Sequence, residues 1–297
     1  MRPFFVVGDA GAFASVWGGP IEIISDPAEA PAVFDLALPL IRVSDSTIPP
    51  GGFDLVGARN SLDALEMAVG LTRSGAASAL VTGPVSKSRL YAVGFTHPGQ
   101  TEFIAERCGV SSDLVAMMLA GPTLRVIPVT THIPFADVPS QLTTDRILTK
   151  GRATVRGLQR QFGIDCPRIA VAGLNPHAGE DGTLGREEID IIMPAIELLR
   201  AEGCEVTGPH PPDIMFYDRR RRDYDAALCM YHDQGLIPLK TLHFDEGINV
   251  TLGLPIVRTS PDHGTAFDIA GKNVADPGAM IAAIRTAGEC AARLAAA

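Results

Sequence analysis

Short apolar runs rich in β-branched residues alternate along the chain with longer stretches whose apolar positions recur every three to four residues. Strands alternating with amphipathic helices give that pattern. Strands are predicted at 4–7, 21–24, 79–82, 115–120, 124–129, 169–174 and 226–231, and helices at 11–17, 60–74, 103–108, 143–162, 186–202 and 279–294. In the 143–162 stretch Ile147, Leu148, Val155, Leu158 and Phe162 keep the helical spacing that buries one face. Asn60 or Ser61 suits an N-cap for the 60–74 helix. The runs on either side of Gly121-Pro122 read as a hairpin, so the sheet should be mixed rather than all parallel. Residues 26–52, rich in Pro and Asp around a short apolar run at 34–41, read as connection and edge structure.

The chain has 297 residues, enough for one large domain or two lobes around a cleft. A formal net charge of −9 argues against nucleic acid, whose binders carry basic patches. The one basic run is Arg219 to Arg222, best read as a solvated face, with a phosphate-facing role as its alternative. Five cysteines with no Cys-x-x-Cys spacing suit a reducing cytoplasm rather than a disulfide framework. No signal peptide stands out, and no apolar run reaches the ~18 residues of a membrane span. Gly8-Asp9-Ala10-Gly11 lacks the glycine spacing of a dinucleotide loop.

Chemistry gathers where apolar runs end. Three of them deliver a histidine to a loop: Thr131-His132-Ile133-Pro134, Asn175-Pro176-His177-Ala178-Gly179-Glu180 and Tyr231-His232-Asp233-Gln234-Gly235. Open α/β folds bind ligands beyond the carboxyl ends of their strands, and three such histidines are what a three-His metal site needs. Any one alone is more readily a satisfied turn or core residue; three in matching contexts shift the balance. Gly235 reads as a turn residue after His232 and Asp233. Lys240, Asn249 and Arg258 follow, and together with the His and carboxylate they suit an anionic substrate held beside a metal. Lys87 stands just past a strand end, in a loop opening a helix.

These segments, with Gly83-Pro84-Val85-Ser86-Lys87, His97-Pro98-Gly99-Gln100-Thr101-Glu102-Phe103, Asn249-Val250-Thr251-Leu252-Gly253-Leu254-Pro255 and Asp262-His263-Gly264-Thr265-Ala266, resemble in kind and order the 4-hydroxythreonine-4-phosphate dehydrogenase (PdxA) family of pyridoxal phosphate biosynthesis. The resemblance runs over nearly all of the chain after Ser61. It implies an isocitrate/isopropylmalate dehydrogenase-like, three-layer α/β/α fold with two lobes around a central cleft. Residues 1–125 with 250–297 would form the outer lobe. Residues 126–249 would form the inner lobe, carrying the metal ligands and a homodimer interface.

The implied reaction is NAD- or NADP-dependent oxidation of 4-phosphooxy-L-threonine, a small phosphorylated hydroxy amino acid. The product is a β-keto acid that loses carbon dioxide to give 3-amino-2-oxopropyl phosphate. His132, His177 and His232 correspond to the family's ligands for a divalent metal (zinc, cobalt or magnesium) acting as a Lewis acid. Donor softness favours zinc or cobalt. Gln100, Thr101, Lys240, Asn249 and Arg258 correspond to substrate contacts. Lys87 becomes an active-site residue and Asp233 an orienting neighbour of His232. His263 is left between lining the cleft and a structural role. The dinucleotide rests on the resemblance alone, with no cofactor-binding residue assigned.

The chain departs from the family in two places. Gln100 stands where the family has His, and Gln hydrogen-bonds without carrying a proton charge. The family's opening strand and Gly-Asp-Pro-Ala-Gly-Ile-Gly-Pro loop have no counterpart; residues 3–9 match its second strand, so an upstream segment is expected. Alternatives are a relative acting on threonate or erythronate 4-phosphate or on an aromatic dihydrodiol carboxylate, and a non-catalytic metal- or phosphate-binding protein on the same scaffold.

Overall fold

The computed structural model describes residues 2–46, 48–52 and 54–296. Among them β1 (Val6–Asp9), β2 (Ile21–Ile23) and β3 (Leu38–Ser44) form a small parallel sheet in the order β1-β3-β2. The other strands are β4 (Leu80–Val81), β5 (Ala116–Gly121), β6 (Leu124–Pro128), β7 (Arg168–Ala172), β8 (Glu205–His210), β9 (Ala226–Cys229), β10 (Ile248–Leu252) and β11 (Arg258–Pro261). They make one sheet in the order β4-β11-β10-β5-β6-β9-β7-β8. β5 and β6 form the predicted antiparallel hairpin, and β6, β9, β7 and β8 run parallel, so the sheet is mixed.

Side chains alternate across this sheet, and each face has its own core. Met118, Ile127, Val129, Ile169, Val171, Leu228 and Val250 pack with Ile147 and Leu158 of the Thr144–Phe162 helix, Ile196 and Leu199 of the Met193–Ala201 helix, and Ala283 of the Gly278–Ala296 helix. Leu119, Val126, Ala170, Ala172, Ala227 and Cys229 point the other way, against Leu236 and Leu239 of the His232–His243 helix. Helices on both faces of one sheet are the three-layer α/β/α arrangement that the family resemblance implied. A further core joins Leu65, Val69, Leu80, Leu90, Phe103, Ile104 and Ile256.

Four local readings are corrected. Residues 26–52 are not mere connection, because β3 is the middle strand of the small sheet, with Leu40 and Ile41 buried. Pro39 hid it, since proline rarely sits in a strand paired on both sides. The predicted 60–74 helix starts earlier, running Leu55–Arg73 with Asp54 as its N-cap. β8 went unread, because Gly208-Pro209 looks like a turn and only Val206 of its residues is buried; an edge strand tolerates both. Gly235 makes no turn. It lies inside the His232–His243 helix, where a Cβ would come within 3.1 Å of Val126 Cβ and 3.2 Å of Cys229 Sγ, so its missing side chain lets the helix lie close on β6 and β9.

Asp9 ends β1 as the N-cap of the Ala10–Val16 helix and ties the small sheet together. Its carboxylate accepts from Ala12 N at 2.9 Å, Ser44 Oγ at 2.6 Å, Ser46 N at 3.0 Å and Asn60 Nδ2 at 2.6 Å, and from Ser46 Oγ. Burial opposes its charge, but the hydrogen bonds from Ser44 and Ser46 and from the backbone outweigh it and hold this acid far below the usual carboxylate range. A depressed carboxylate stabilises fully above its unfolded pKa and loses that contribution as pH falls towards the folded one. Asp9→Ala is therefore expected to cost about 2–4 kcal/mol at neutral pH by denaturant unfolding, with the gap to wild type narrowing below about pH 4. An unchanged midpoint would show that the network adds nothing.

Candidate active site

Strand pairing explains how two of the three histidines meet. β6 and β9 run parallel in the register Val126↔Ala227, Ile127↔Leu228 and Pro128↔Cys229. The ladder continues past their ends, with Val129 N donating to Cys229 O at 2.7 Å and Thr130 Oγ1 to Met230 O at 2.8 Å. Two residues further on, both chains carry a histidine, and the His132 and His232 rings lie 5.6 Å apart, centroid to centroid. His132 adopts a left-handed backbone at φ 49°, a conformation that favours glycine and clusters at functional sites. Burial, then the charges of His232 and Lys87, push its pKa below the ordinary histidine value, with Glu102 opposing. The neutral imidazole so favoured is the form that ligates a metal. His232 Nδ1 contacts Asp233 Oδ1 at 2.7 Å, which leaves Nε2 open.

β7 is the next parallel neighbour of β9, so the His177 loop leaves the same end of the sheet. It then turns away. Residues 177–181 all have positive φ, and the His177 side chain is 70% exposed, with Glu180 3.9 Å from its Nδ1. Among the described residues no group of three His, Cys, Asp or Glu gathers to hold an ion. One chain thus brings His132 and His232 together and leaves His177 apart.

Two residues that the sequence reading passed over build this end of the sheet. Gln234 is buried and bridges β9 to β7, accepting from Met230 N at 2.7 Å and donating to Gly173 O at 2.7 Å. Glu188 is buried beneath the His177 loop, accepting from Leu174 N and Asn175 N at 2.8 Å each and from Asn175 Nδ2 at 3.0 Å. At Gly179 (φ 80°) a Cβ would meet Glu188 Oε2 at 2.6 Å, so glycine there serves both the left-handed turn and the close approach. Gln234 lies inside the quoted 231–235 motif; Glu188, on a helix face read as ordinary, carried no sequence signal.

A cleft of about 920 Å³ opens beside His132. Lys87, Gln100, Thr101, His132, Asn249, Arg258 and His263 line it, which places His263 on the cleft wall. Arg258 opens β11 and is only 4% exposed. Its guanidinium donates to Thr251 Oγ1 at 3.0 Å and Thr82 Oγ1 at 2.8 Å, both neutral, while Nε is buried without a partner. Burial pushes its pKa down to about 10, against the pull of Glu102. Asn249 Oδ1 and Gln100 Oε1 are likewise buried and unpartnered. Gln100 Nε2 donates to Gly83 O at 3.0 Å, and the unpartnered Oε1 is an acceptor. Lys240 is not on the cleft wall; its ammonium lies 3.1 Å from Asp262 Oδ2. Arg146 and Lys150 of the Thr144–Phe162 helix do line the cleft, two cations that helical periodicity could not single out. The 219–222 arginines stand elsewhere: Arg220 on Asp223 and Arg222 on Asp218 are partly or well exposed, whereas the Arg221 side chain is only 10% exposed and bonds Asp218 and Phe216 O, so the run is not a uniformly solvated face.

Arg258 shares the cleft wall with His132, its charge bonded to threonine hydroxyls, an arrangement suited to an anion. The family model described as pyridoxal phosphate biosynthetic protein PdxA matches residues 2–287. This chain belongs to the PdxA family. It is similar to the 4-hydroxythreonine-4-phosphate dehydrogenase of Erythrobacter litoralis, 55% identical over 298 residues that cover 99% of this chain and 89% of the relative. It is similar to the enzyme of the same name from Zymomonas mobilis, 56% identical over 285 residues, 96% of this chain and 85% of the relative. The crystal structure of 4-hydroxythreonine-4-phosphate dehydrogenase from Klebsiella pneumoniae superposes with a TM-score of 0.87 at 40% identity, covering 97% of this chain and 88% of that one. Membership of the PdxA family makes the chain an oxidoreductase and brings the dehydrogenase-like fold class expected from its sequence. No helix among the described residues is long and apolar enough to cross a membrane.

Gln100 sets a test of its own. Gln100→His should keep or raise activity if the side chain only hydrogen-bonds substrate, and lower it if the cleft is tuned to a different one. Parallel rates for the two proteins on 4-phosphooxy-L-threonine and threonate 4-phosphate separate the cases.

Proposed function

We propose that this protein is an NAD- or NADP-dependent, divalent-metal-dependent dehydrogenase. It oxidises 4-phosphooxy-L-threonine to 2-amino-3-oxo-4-phosphooxybutanoate, which decarboxylates to 3-amino-2-oxopropyl phosphate. The observation that carries the reading is Arg258, a buried cation bonded only to threonine hydroxyls at the wall of a cleft it shares with Lys87. Such a group waits for an anion, and a guanidinium fork suits phosphate or carboxylate. Lys87, Gln100, Thr101 and Asn249 complete the substrate wall, while Lys240, off that wall and paired with Asp262, would have to leave this partner to reach substrate. The outer lobe, 1–125 with 250–297, supplies Lys87 and Arg258, and the inner lobe, 126–249, supplies His132 and Asn249.

His132, His177 and His232 are the metal ligands in this reading, and the ion is zinc or cobalt before magnesium. When bound, it supplies Lewis acidity at the substrate alcohol as hydride leaves for the dinucleotide. His132 and His232 fit as a pair, with Asp233 orienting the second. His177, exposed and apart, fits as the ligand that a homodimer partner contributes, with exposed Phe135, Ile237 and Phe244 available to the interface. Five free cysteines support a cytoplasmic location. A second reading, threonate or erythronate 4-phosphate as substrate, has one observation in its favour: Gln100 in place of histidine.

The test is stoichiometry and metal removal. Chelation should abolish turnover, zinc or cobalt should restore it, and one carbon dioxide should appear per reduced dinucleotide. Full activity in chelator would exclude the metal, and reduction without carbon dioxide would exclude the decarboxylation.

A further inference from the structure

Five consecutive residues, 177–181, lie in the left-handed region of backbone space, and four of them carry a side chain: His177 (φ 55°), Ala178 (φ 52°), Glu180 (φ 43°) and Asp181 (φ 53°). Residues other than glycine enter that region singly and at a cost, so a run of them persists only where the surroundings impose it. Here the surroundings are Glu188. It is only 3% exposed, and every hydrogen bond it accepts comes from the entry to the turn. Oε1 takes Leu174 N and Asn175 N at 2.8 Å each, and Oε2 takes Asn175 Nδ2 at 3.0 Å, a donor shared with half-buried Glu187 at 2.7 Å. Among the described residues no cation pairs with Glu188, and Arg186, two residues before it, is held by Asp190. A carboxylate out of water depends on such donors, so the loop cannot leave without baring the charge. Oε2 also closes the turn from below, where a Cβ at Gly179 would meet it at 2.6 Å. Gln234 takes the carbonyl just upstream, Gly173 O, at 2.7 Å, so three successive residues are caught from two elements. Glu188 itself opens a π-helical turn, Glu188–Ile192, a rare form that recurs at functional sites.

Resting on the function proposed above, in which His177 is a metal ligand delivered to a partner's site, we propose that Glu188 is the positioning residue for that ligand. It fixes the left-handed turn that holds His177 outward, and it touches neither metal nor substrate. Its loss is therefore felt in the metal site of the other subunit, not in the site that its own His132 and His232 build.

The test uses cobalt(II) as the probe and two variants of the purified protein. Glu188→Gln keeps the volume but sets an N–H among donors, and Gly179→Ala crowds the same contact from the loop side, leaving Glu188 in place. Each should weaken cobalt binding about 10–100-fold. At saturating cobalt each should show the weaker visible absorption of an ion that has exchanged an imidazole for water, as His177→Ala does. A fold defect elsewhere would not change that band. At limiting cobalt, Glu188→Gln reassorted with His132→Ala should regain about a quarter of wild-type turnover of 4-phosphooxy-L-threonine, because the heterodimer keeps one intact site of two. Reassorted with His177→Ala it should regain none. Unchanged cobalt affinity and absorption in both variants overturn the proposal. Recovery with His177→Ala also overturns it, by placing Glu188 on the His132 side. Recovery with neither, while His132→Ala and His177→Ala restore each other, makes Glu188 a general folding residue and sinks it alone. If those two do not restore each other, or if His177→Ala binds cobalt like the wild type, the proposed delivery of His177 falls and this inference with it.

Discussion

An Arg258→Met protein is expected to lose about tenfold to a hundredfold or more in kcat/KM while keeping or raising its melting temperature. The activity loss follows from the partners of the guanidinium. Thr251 and Thr82 occupy its two terminal nitrogens, and neither neutralises it. The charge and the unpartnered Nε are left for an anion on the substrate. The stability gain follows from the same facts. A cation 4% exposed with no carboxylate paired to it among the described residues is a cost to the empty protein, and an apolar side chain of similar length removes that cost. Arg258→Lys should not restore activity, because an ammonium cannot reproduce a planar fork held by two hydroxyls. Calorimetry beside steady-state kinetics checks both halves. A strong fall in stability with KM unchanged would make Arg258 a structural residue.

Mixing two dead proteins should revive the enzyme. His132→Ala and His177→Ala are each expected to lose most bound metal and nearly all turnover. If His132 and His177 of one site come from different subunits, a heterodimer of the two variants keeps one intact site of its two. Random reassortment would then return about a quarter of wild-type activity, the share expected for a two-fold dimer. Elemental analysis should find metal in the mixture and little in either parent. No recovery after verified exchange would place all three histidines in one subunit, and full metal occupancy in His177→Ala would remove it from the site.

Much of this was legible in the chain because function sits where strands end. The apolar runs before His132, His177 and His232 became β6, β7 and β9, neighbours in one parallel array, so the pattern alone put all three histidines at one end of the sheet, where only His132 and His232 meet. Register was not legible. Pairing of Pro128 with Cys229 is what sets His132 beside His232, and no local signal carries it. Gly235 misled for a related reason: a glycine demanded by helix–sheet contact has the same letter as one demanded by a turn. Lys240, grouped in sequence with Asn249 and Arg258, is held by Asp262, a partner that spacing could not reveal. Glu188 was hidden because a carboxylate on a helix is by default solvated. Its burial appears only in three dimensions.

Initial rates of NAD+ and NADP+ reduction by the purified protein, with 4-phosphooxy-L-threonine and threonate 4-phosphate supplied side by side under added zinc, cobalt or magnesium, decide the central assignment. The expected result is dinucleotide reduction that requires metal and favours 4-phosphooxy-L-threonine. Faster turnover of threonate 4-phosphate, or no reduction with either compound under any of the three metals, would contradict it.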